Sequence, residues 1–181
     1  MERQRESGSS ISKQAQDQIQ EIMNGLTAAN FEPNKHKEVE AIRKVCQSGK
    51  IRQIKPTMVD LYLEKKNGEI YLIDLKTAKP NKSNFQGLKR TLLEWVAVVL
   101  YENPKAKINT LVAIPYNPYE PNSYARWTMT GMLDLENELK VAKEFWDFLG
   151  EDNTYGPLLD CFERVGIRMK DEINNCFGKF K

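Results

Sequence analysis

One short stretch near the middle of the chain constrains the fold most, because it predicts a tight β-hairpin. Asn67-Gly68 stands between two apolar, β-branched and aromatic runs, Met58–Leu63 and Ile70–Leu75. An Asn-Gly pair in this setting is typical of a type I′ turn, in which both central residues have positive φ. The sequence therefore predicts two antiparallel strands joined by a type I′ turn.

Three charged residues stand on these strands where apolar residues are the rule. Side chains alternate across a strand, so Asp74 and Lys76 share one face, and Asp60 lies near the adjoining end of the first strand. Two neighbouring carboxylates suit Mg²⁺, which binds one or two carboxylates together with phosphate oxygens and water. A nearby ammonium can orient the attacking water or stabilise developing charge. The pattern favours metal-dependent phosphodiester cleavage; a same-face ion pair on a solvated strand is the alternative that it leaves open.

Composition places few further limits on function. The 181 residues, 40% hydrophobic and 29% charged, predict a single globular domain over residues 1–181, with residues 1–10 disordered. A net charge of +2 means that any basic surface must be local. Three cysteines without a CxxC pair and one histidine make no zinc site, and they favour a reducing, cytoplasmic location. The apolar runs are too short to cross a membrane, and the polar N-terminus is not a signal peptide.

Apolar periodicity predicts the remaining elements. Helices are expected at residues 11–26, 35–47, 85–101, 133–149 and 156–177, and strands at 50–54 and 108–115. The order helix, hairpin, helix, strand predicts an α/β fold, with a central mixed β-sheet flanked by helices and extra C-terminal helices. Strand 108–115 is expected to pair in parallel with the second hairpin strand, because a helical crossover precedes it.

Several polar side chains follow the hairpin in positions that suit contacts with nucleic acid. The loop after Lys76 is basic, and cations in the first turns of the next helix oppose its dipole and are better placed to meet an anion. A long Tyr-, Asn- and Pro-rich loop, residues 116–132, carries groups that hydrogen-bond bases and phosphates. The predicted DNA contacts are Lys79, Lys82, Gln86, Lys89, Arg90, Asn117, Arg126 and Trp127. A solvated basic loop and an Ω-loop whose aromatic side chains cover the sheet edge are the alternatives.

The hairpin pattern resembles the PD-(D/E)xK nuclease superfamily, whose motif matches at Asp60, Asp74 and Lys76. The residue before the first acid is often Pro in that superfamily and is Val59 here. A longer set of matches resembles a group of type II restriction endonucleases associated with GGNCC-type sites. That set comprises Val59-Asp60-Leu61, Asp74-Leu75-Lys76-Thr77, Asn84-Phe85, Lys89-Arg90, Leu93-Glu94-Trp95, Pro115-Tyr116-Asn117-Pro118-Tyr119, Arg126-Trp127 and Glu144-Phe145-Trp146-Asp147-Phe148-Leu149-Gly150.

The resemblance implies a PD-(D/E)xK nuclease core and a Mg²⁺-dependent enzyme, homodimeric, that cuts both strands of double-stranded DNA at a short palindrome. Asp60 and Asp74 would be metal ligands and Lys76 the catalytic lysine. Glu38, beside the inward stripe of helix 35–47, would supply a further metal carboxylate. A structure-selective repair or recombination nuclease of the same fold is one alternative. A nuclease-like module that only binds DNA or a protein is another.

Overall fold

The computed structural model describes residues 2–77, 85–124, 129–150 and 153–178. The chain divides into two compact units, residues 1–141 and 142–181. The elements of the first unit are β1 (Glu2–Glu6), β2 (Ser10–Ser12), α1 (Lys13–Thr27), α2 (Lys35–Val45), β3 (Ile51–Gln53), β4 (Met58–Glu64), β5 (Glu69–Leu75), α3 (Phe85–Glu102), β6 (Lys107–Ile114) and β7 (Leu139–Val141). Those of the second are α4 (Lys143–Gly150), α5 (Tyr155–Arg168) and α6 (Lys170–Gly178).

The central sheet has the strand order β1-β4-β5-β6-β7. Strands β1, β4 and β5 pair antiparallel, whereas β5–β6 and β6–β7 pair parallel. The long helix α3 makes the crossover between β5 and β6, and it packs on α1, α2, β2 and β6. The predicted mixed α/β sheet flanked by helices, and the parallel pairing of β6, are therefore confirmed.

The β4–β5 hairpin forms as predicted, but its turn type differs. Gly68 has φ of +77°, whereas Asn67 is not among the described residues with positive φ. The amide of Gly68 donates to the carbonyl of Lys65, and the Lys65 amide donates to the carbonyl of Glu69. The predicted type I′ turn is wrong, because this is a type I turn followed by a left-handed glycine, the other common way to match strand twist.

Burial in the hydrophobic core explains why the sequences of β6 and α3 predict a strand and a helix. From Thr110 to Ile114 every residue of β6 is buried, so both of its faces are covered. Fully buried Leu92, Leu93 and Trp95 lie on α3. A strand buried on both faces reads as a continuous apolar run, as expected for a parallel sheet.

Three further predictions about secondary structure need correction. Residues 133–149 are not one helix, because Leu139–Val141 forms β7, which pairs parallel with β6, and α4 starts only at Lys143. Residues 2–6, expected to be disordered, form β1 and pair with β4. The C-terminal helix 156–177 is divided at Met169 into α5 and α6.

Strand β3 falls within the predicted range 50–54, and it pairs with β2 in a separate two-stranded sheet. Within the part of the chain that the structure describes, no helix is long and apolar enough to cross a membrane. Cys46, Cys161 and Cys176 are free thiols.

Candidate active site

The open end of the β4–β5 hairpin brings two acids together. Leu61 and Ile73 are paired across the two strands, which puts Asp60, one residue earlier, beside Asp74, one residue later. Oδ2 of Asp60 accepts a hydrogen bond of 2.7 Å from the amide of Leu75. That bond holds the carboxylate of one strand against the backbone of the other, so the register of the hairpin itself positions the pair.

Lys76 is held beside the acids by an extension of the parallel ladder. Its amide donates to the carbonyl of Ala113 over 2.9 Å, just beyond the last residue of β5. Its Nζ lies 2.9 Å from Oδ1 and 2.7 Å from Oδ2 of Asp74. The predicted same-face relation of Asp74 and Lys76 is therefore present as a close ion pair.

Asp74 is a buried carboxyl group whose pKa is raised above its usual value. The residue is only 8% exposed. Burial raises its pKa, Lys76 opposes that shift, and the charge of Asp60 together with a hydrogen bond between the two acids raises the pKa further. Oδ2 is buried and accepts no well-directed hydrogen bond from the described residues, even though Lys76 Nζ is close.

These three side chains fit a divalent metal. Two carboxylates in contact and a buried oxygen with an unused lone pair form the hard, anionic donor set that Mg²⁺ takes up when phosphate and water complete its shell. No group of three or more candidate metal ligands exists among the residues that the structure describes. The donor set that the described protein offers is thus the Asp60–Asp74 pair.

Glu38 belongs to a second, separate cluster, which we call the buried ion network: Lys35, Glu38, Lys89 and Glu138. Lys89 Nζ lies 2.6 Å from Oε2 of Glu38 and 2.6 Å from Oε2 of Glu138. Lys35 Nζ lies 3.2 Å from the other oxygen of Glu138 and donates to Thr110 on β6. Two cations and two anions thus join α2, α3 and β6 in the interior.

Burial alone would raise the pKa of Glu138, but Lys35 and Lys89 lower it below its usual value. Burial lowers the pKa of Lys35. The negative charge of Glu138 raises this pKa, and the positive charge of Lys89 lowers it further. The neighbouring lysines therefore outweigh burial at Glu138 and favour its ionised form, whereas at Lys35 burial outweighs the attraction of Glu138.

The buried ion network changes two predictions. The expected contact of Lys89 with DNA is wrong, because its side chain is fully buried and held by two carboxylates. Glu38 does lie on the inward side of its helix, as predicted, but Lys89 and the amide of Asn34 occupy its carboxylate. The structure does not bring Glu38 to the Asp60–Asp74 pair.

The other predicted DNA contacts are placed as follows. Gln86 Nε2 reaches Thr27 Oγ1 over 3.4 Å, and Arg90 donates to Gln20 Oε1 over 2.7 Å, so both side chains bind α1. Asn117 closes its own loop, accepting from the amide of Tyr119 and donating to the carbonyl of Asn122. Lys79, Lys82, Arg126 and Trp127 lie outside the described residues.

Sequence reasoning missed Glu138 because it lay inside the helix expected at 133–149. A signal was present: Leu139 and Val141 alternate with Lys140, as the side chains of a strand do. A glutamate at the start of such a strand is a candidate partner for a buried lysine. Its distance from Lys89 along the chain hides that pairing from local patterns.

Comparison with known proteins decides the family of the chain. The model of the family "Type II restriction endonuclease, HinfI" matches residues 1–166. The chain belongs to this family. The match covers the whole first unit, including the strands that carry Asp60 and Asp74, and it confirms the resemblance to type II restriction endonucleases.

Individual proteins similar to this chain are also named type II restriction enzymes. The chain is 29% identical over 168 residues to the type II restriction enzyme MjaII of Methanocaldococcus jannaschii, an alignment covering 86% of this chain and 45% of that protein. It is 27% identical over 158 residues to HgiCII of Herpetosiphon aurantiacus, covering 82% of this chain and 56% of that enzyme. HgiEI from the same organism is 26% identical over 143 residues, covering 78% and 51%. The chain thus spans about half the length of the curated relatives it matches.

Proposed function

We propose that this chain carries the catalytic centre of a type II restriction endonuclease, which hydrolyses phosphodiester bonds in both strands of double-stranded DNA. The observation that carries the proposal is the Asp60–Asp74–Lys76 cluster at the open end of the hairpin, in a chain of this family. Members of the family generally use divalent metal ions.

We assign Mg²⁺ to the Asp60–Asp74 pair, because two hard carboxylates with an unused oxygen suit it better than a softer metal. A bound divalent cation supplies Lewis acidity toward the phosphoryl oxygen and lowers the pKa of the attacking water. Groups of the protein position the carboxylate and stabilise charge. The Leu75 amide fixes the Asp60 carboxylate, and the Lys76 ammonium stands beside Asp74, where it can orient water and stabilise charge on the phosphate.

The target that we propose is a short palindrome such as GGNCC, which follows from the resemblance of the sequence alone. A palindrome cut on both strands calls for two copies of the site related by two-fold symmetry, so we propose a homodimer. A cytoplasmic location also remains a prediction, and cell fractionation would test it.

The proposal is tested by digesting a fully sequenced, unmethylated phage genome with the purified chain, with Mg²⁺ and with EDTA. We expect a sharp set of Mg²⁺-dependent fragments, and mapping of their ends gives the recognition sequence. Cutting confined to junctions, flaps or nicks would replace this function with that of a structure-selective nuclease. Intact DNA at all metal concentrations would indicate a module that only binds.

A further inference from the structure

One face of β4 is open to solvent beside the candidate active site. On β4, Val59 and Leu61 are buried, whereas Met58 on the opposite face is 52% exposed. Side chains alternate along the strand, so Met58, Asp60 and Tyr62 share this open face. Any phosphate that reaches the Asp60 carboxylate from solvent must come in over the same side of the sheet.

A cation from β1 lies on this open face. The guanidinium of Arg5 stacks over the ring of Tyr62, with 4.2 Å from its central carbon to the ring centroid. Tyr62 is two residues from Asp60, about 7 Å along an extended strand. Arg5 keeps 48% of its side chain exposed and also lies 3.6 Å from the still more exposed Glu2. Its charge is thus fixed in position and still available to a partner.

Regular strand pairing does not by itself put Arg5 there. Arg5 pairs with Val59, whose side chain points to the buried face. Because Arg3 pairs with Leu61 and Arg5 with Val59, Gln4 stands opposite Asp60. Gln4 has φ of +52°, a conformation that residues other than glycine rarely adopt. This break in the extended backbone interrupts the alternation of side chains and accompanies the placement of Arg5 over Tyr62.

We propose that Arg5, supported by Tyr62, binds a DNA backbone phosphate close to the one that is cut. Arginine suits this role, because its planar guanidinium can bind phosphate oxygens in pairs while one face stays stacked on an aromatic ring. Strand β1 then forms the outer edge of the DNA-binding surface. The inference rests on the proposed function, and it adds an N-terminal contact that the sequence patterns did not indicate.

The test measures the salt dependence of binding to a short fluorescently labelled duplex of mixed sequence, without divalent metal, between about 50 and 200 mM salt. Losing one phosphate contact should reduce the slope of log affinity against log salt by about 1. We expect Arg5→Ala to show that reduction, with several-fold weaker binding at the lower salt concentrations. Arg5→Lys should restore the slope, because the charge remains.

The matched control is Arg52→Ala. Arg52 is an exposed strand arginine of the separate β2–β3 sheet, so its removal makes the same change in net charge. Equal effects of Arg5→Ala and Arg52→Ala, or an unchanged slope in Arg5→Ala, would overturn the inference. Tyr62→Phe should bind as the wild type does, because the ring remains, whereas Tyr62→Ala should weaken binding.

Thermal unfolding separates this role from a structural one. A purely structural Arg5 would lower the melting temperature in Arg5→Ala and leave the salt slope of the folded protein unchanged, which would also overturn the inference. Wild-type protein that neither binds nor cuts duplex DNA would remove the proposed function together with this inference. Wild-type protein that cuts DNA while Arg5→Ala binds equally well would remove the inference alone.

Discussion

At the scale of single residues, the ionisation of Asp74 links stability to function. Its raised pKa means that the ionised carboxylate is less favourable in the metal-free fold than in the unfolded chain. The stability that this group contributes is fully present below its unfolded pKa, about 3.9, and is lost as pH rises through the folded value. In the metal-free protein, ionisation of Asp74 therefore costs the fold stability at its candidate active site.

We predict that Asp74→Asn is more stable than the wild type at pH 7 without metal, because asparagine does not ionise. Each 1 kcal/mol would raise the melting temperature by about 2–4 °C in a chain of this size. The advantage should disappear as pH approaches about 4. Thermal unfolding against pH checks this, and a wild type at least as stable as Asp74→Asn at pH 7 would contradict it.

The same variant tests metal binding without reference to catalysis. Added Mg²⁺ should stabilise the wild type increasingly with the logarithm of its concentration above Kd and leave Asp74→Asn nearly unchanged, since a ligand stabilises only the state that binds it. Asp17→Asn, at an exposed position of α1, is the control for non-specific ion effects and should keep the full response. An equal Mg²⁺ shift in all three proteins would contradict the assignment of the ion to Asp74.

Lys76 should act on the chemical step. We predict that Lys76→Met lowers the cleavage rate by about 10²–10⁴-fold, the range for loss of a positioned charge or proton-transfer group, with smaller effects on DNA binding. Lys66→Met removes an equal charge at the far end of the hairpin and should cut normally. Single-turnover cleavage and binding assays separate the two steps; a Lys76→Met enzyme of normal rate would rule out this role.

At the scale of elements, the buried ion network holds α2, α3 and β6 together. We predict that Lys89→Met destabilises the fold by about 3–5 kcal/mol, because Glu38 and Glu138 lose their shared cation and stay buried. Denaturant unfolding measures this. Arg90→Met, the neighbouring and half-buried cation, should cost far less. A Lys89→Met protein of wild-type stability with weakened DNA binding would instead restore the predicted DNA contact of Lys89.

The elements also indicate what a sequence of this kind can predict. The hairpin and α3 follow from local patterns, Asn67-Gly68 for the turn and a broad apolar face for the helix, and the structure has both. For strand β7 the local signal is only the three-residue alternation of Leu139, Lys140 and Val141. Its three residues are a strand because Leu139 pairs with Val112 on β6, a contact that local sequence does not encode.

In the candidate site, too, some features follow from local sequence and others depend on tertiary contacts. Asp60, Asp74 and Lys76 meet because one hairpin carries all three. Strand alternation predicted the shared face of Asp74 and Lys76, whereas the observed turn with left-handed Gly68 sets the register that puts Asp60 opposite Asp74. Lys89 was expected at the surface because a cation near the start of a helix opposes the helix dipole. Its partner Glu138 comes 49 residues later, so the burial of the pair depends on tertiary structure alone.

At the scale of the whole molecule, helices α5 and α6 expose an apolar surface. Its members are Leu159, Phe162, Val165, Ile167, Met169, Ile173 and Phe177. Monomeric proteins rarely leave so many large apolar side chains in water, and such a surface marks an interaction site. Because a palindrome requires two copies of the catalytic centre, we assign this surface to the proposed homodimer.

We predict that Phe162→Asp, which puts a charge at a position 60% exposed on α5, converts the proposed dimer to a monomer. The monomer should nick circular DNA slowly in place of cutting both strands in one encounter. Light scattering gives the mass, and gel analysis of a supercoiled plasmid gives the ratio of nicked to linear product. Asp160→Asn, on the same helix, should leave both unchanged. A dimer that survives Phe162→Asp would place the interface elsewhere.

We propose that Asp60, Asp74 and Lys76 together carry out DNA cleavage, and a comparison of the wild type with one variant tests this. Wild-type protein and Asp74→Ala are incubated with the same duplex genome in Mg²⁺, and the fragments are separated and their ends mapped. We predict discrete fragments with one common end sequence from the wild type and intact DNA from Asp74→Ala. Cleavage that persists unchanged in Asp74→Ala, or no cleavage by either protein, would contradict the assignment.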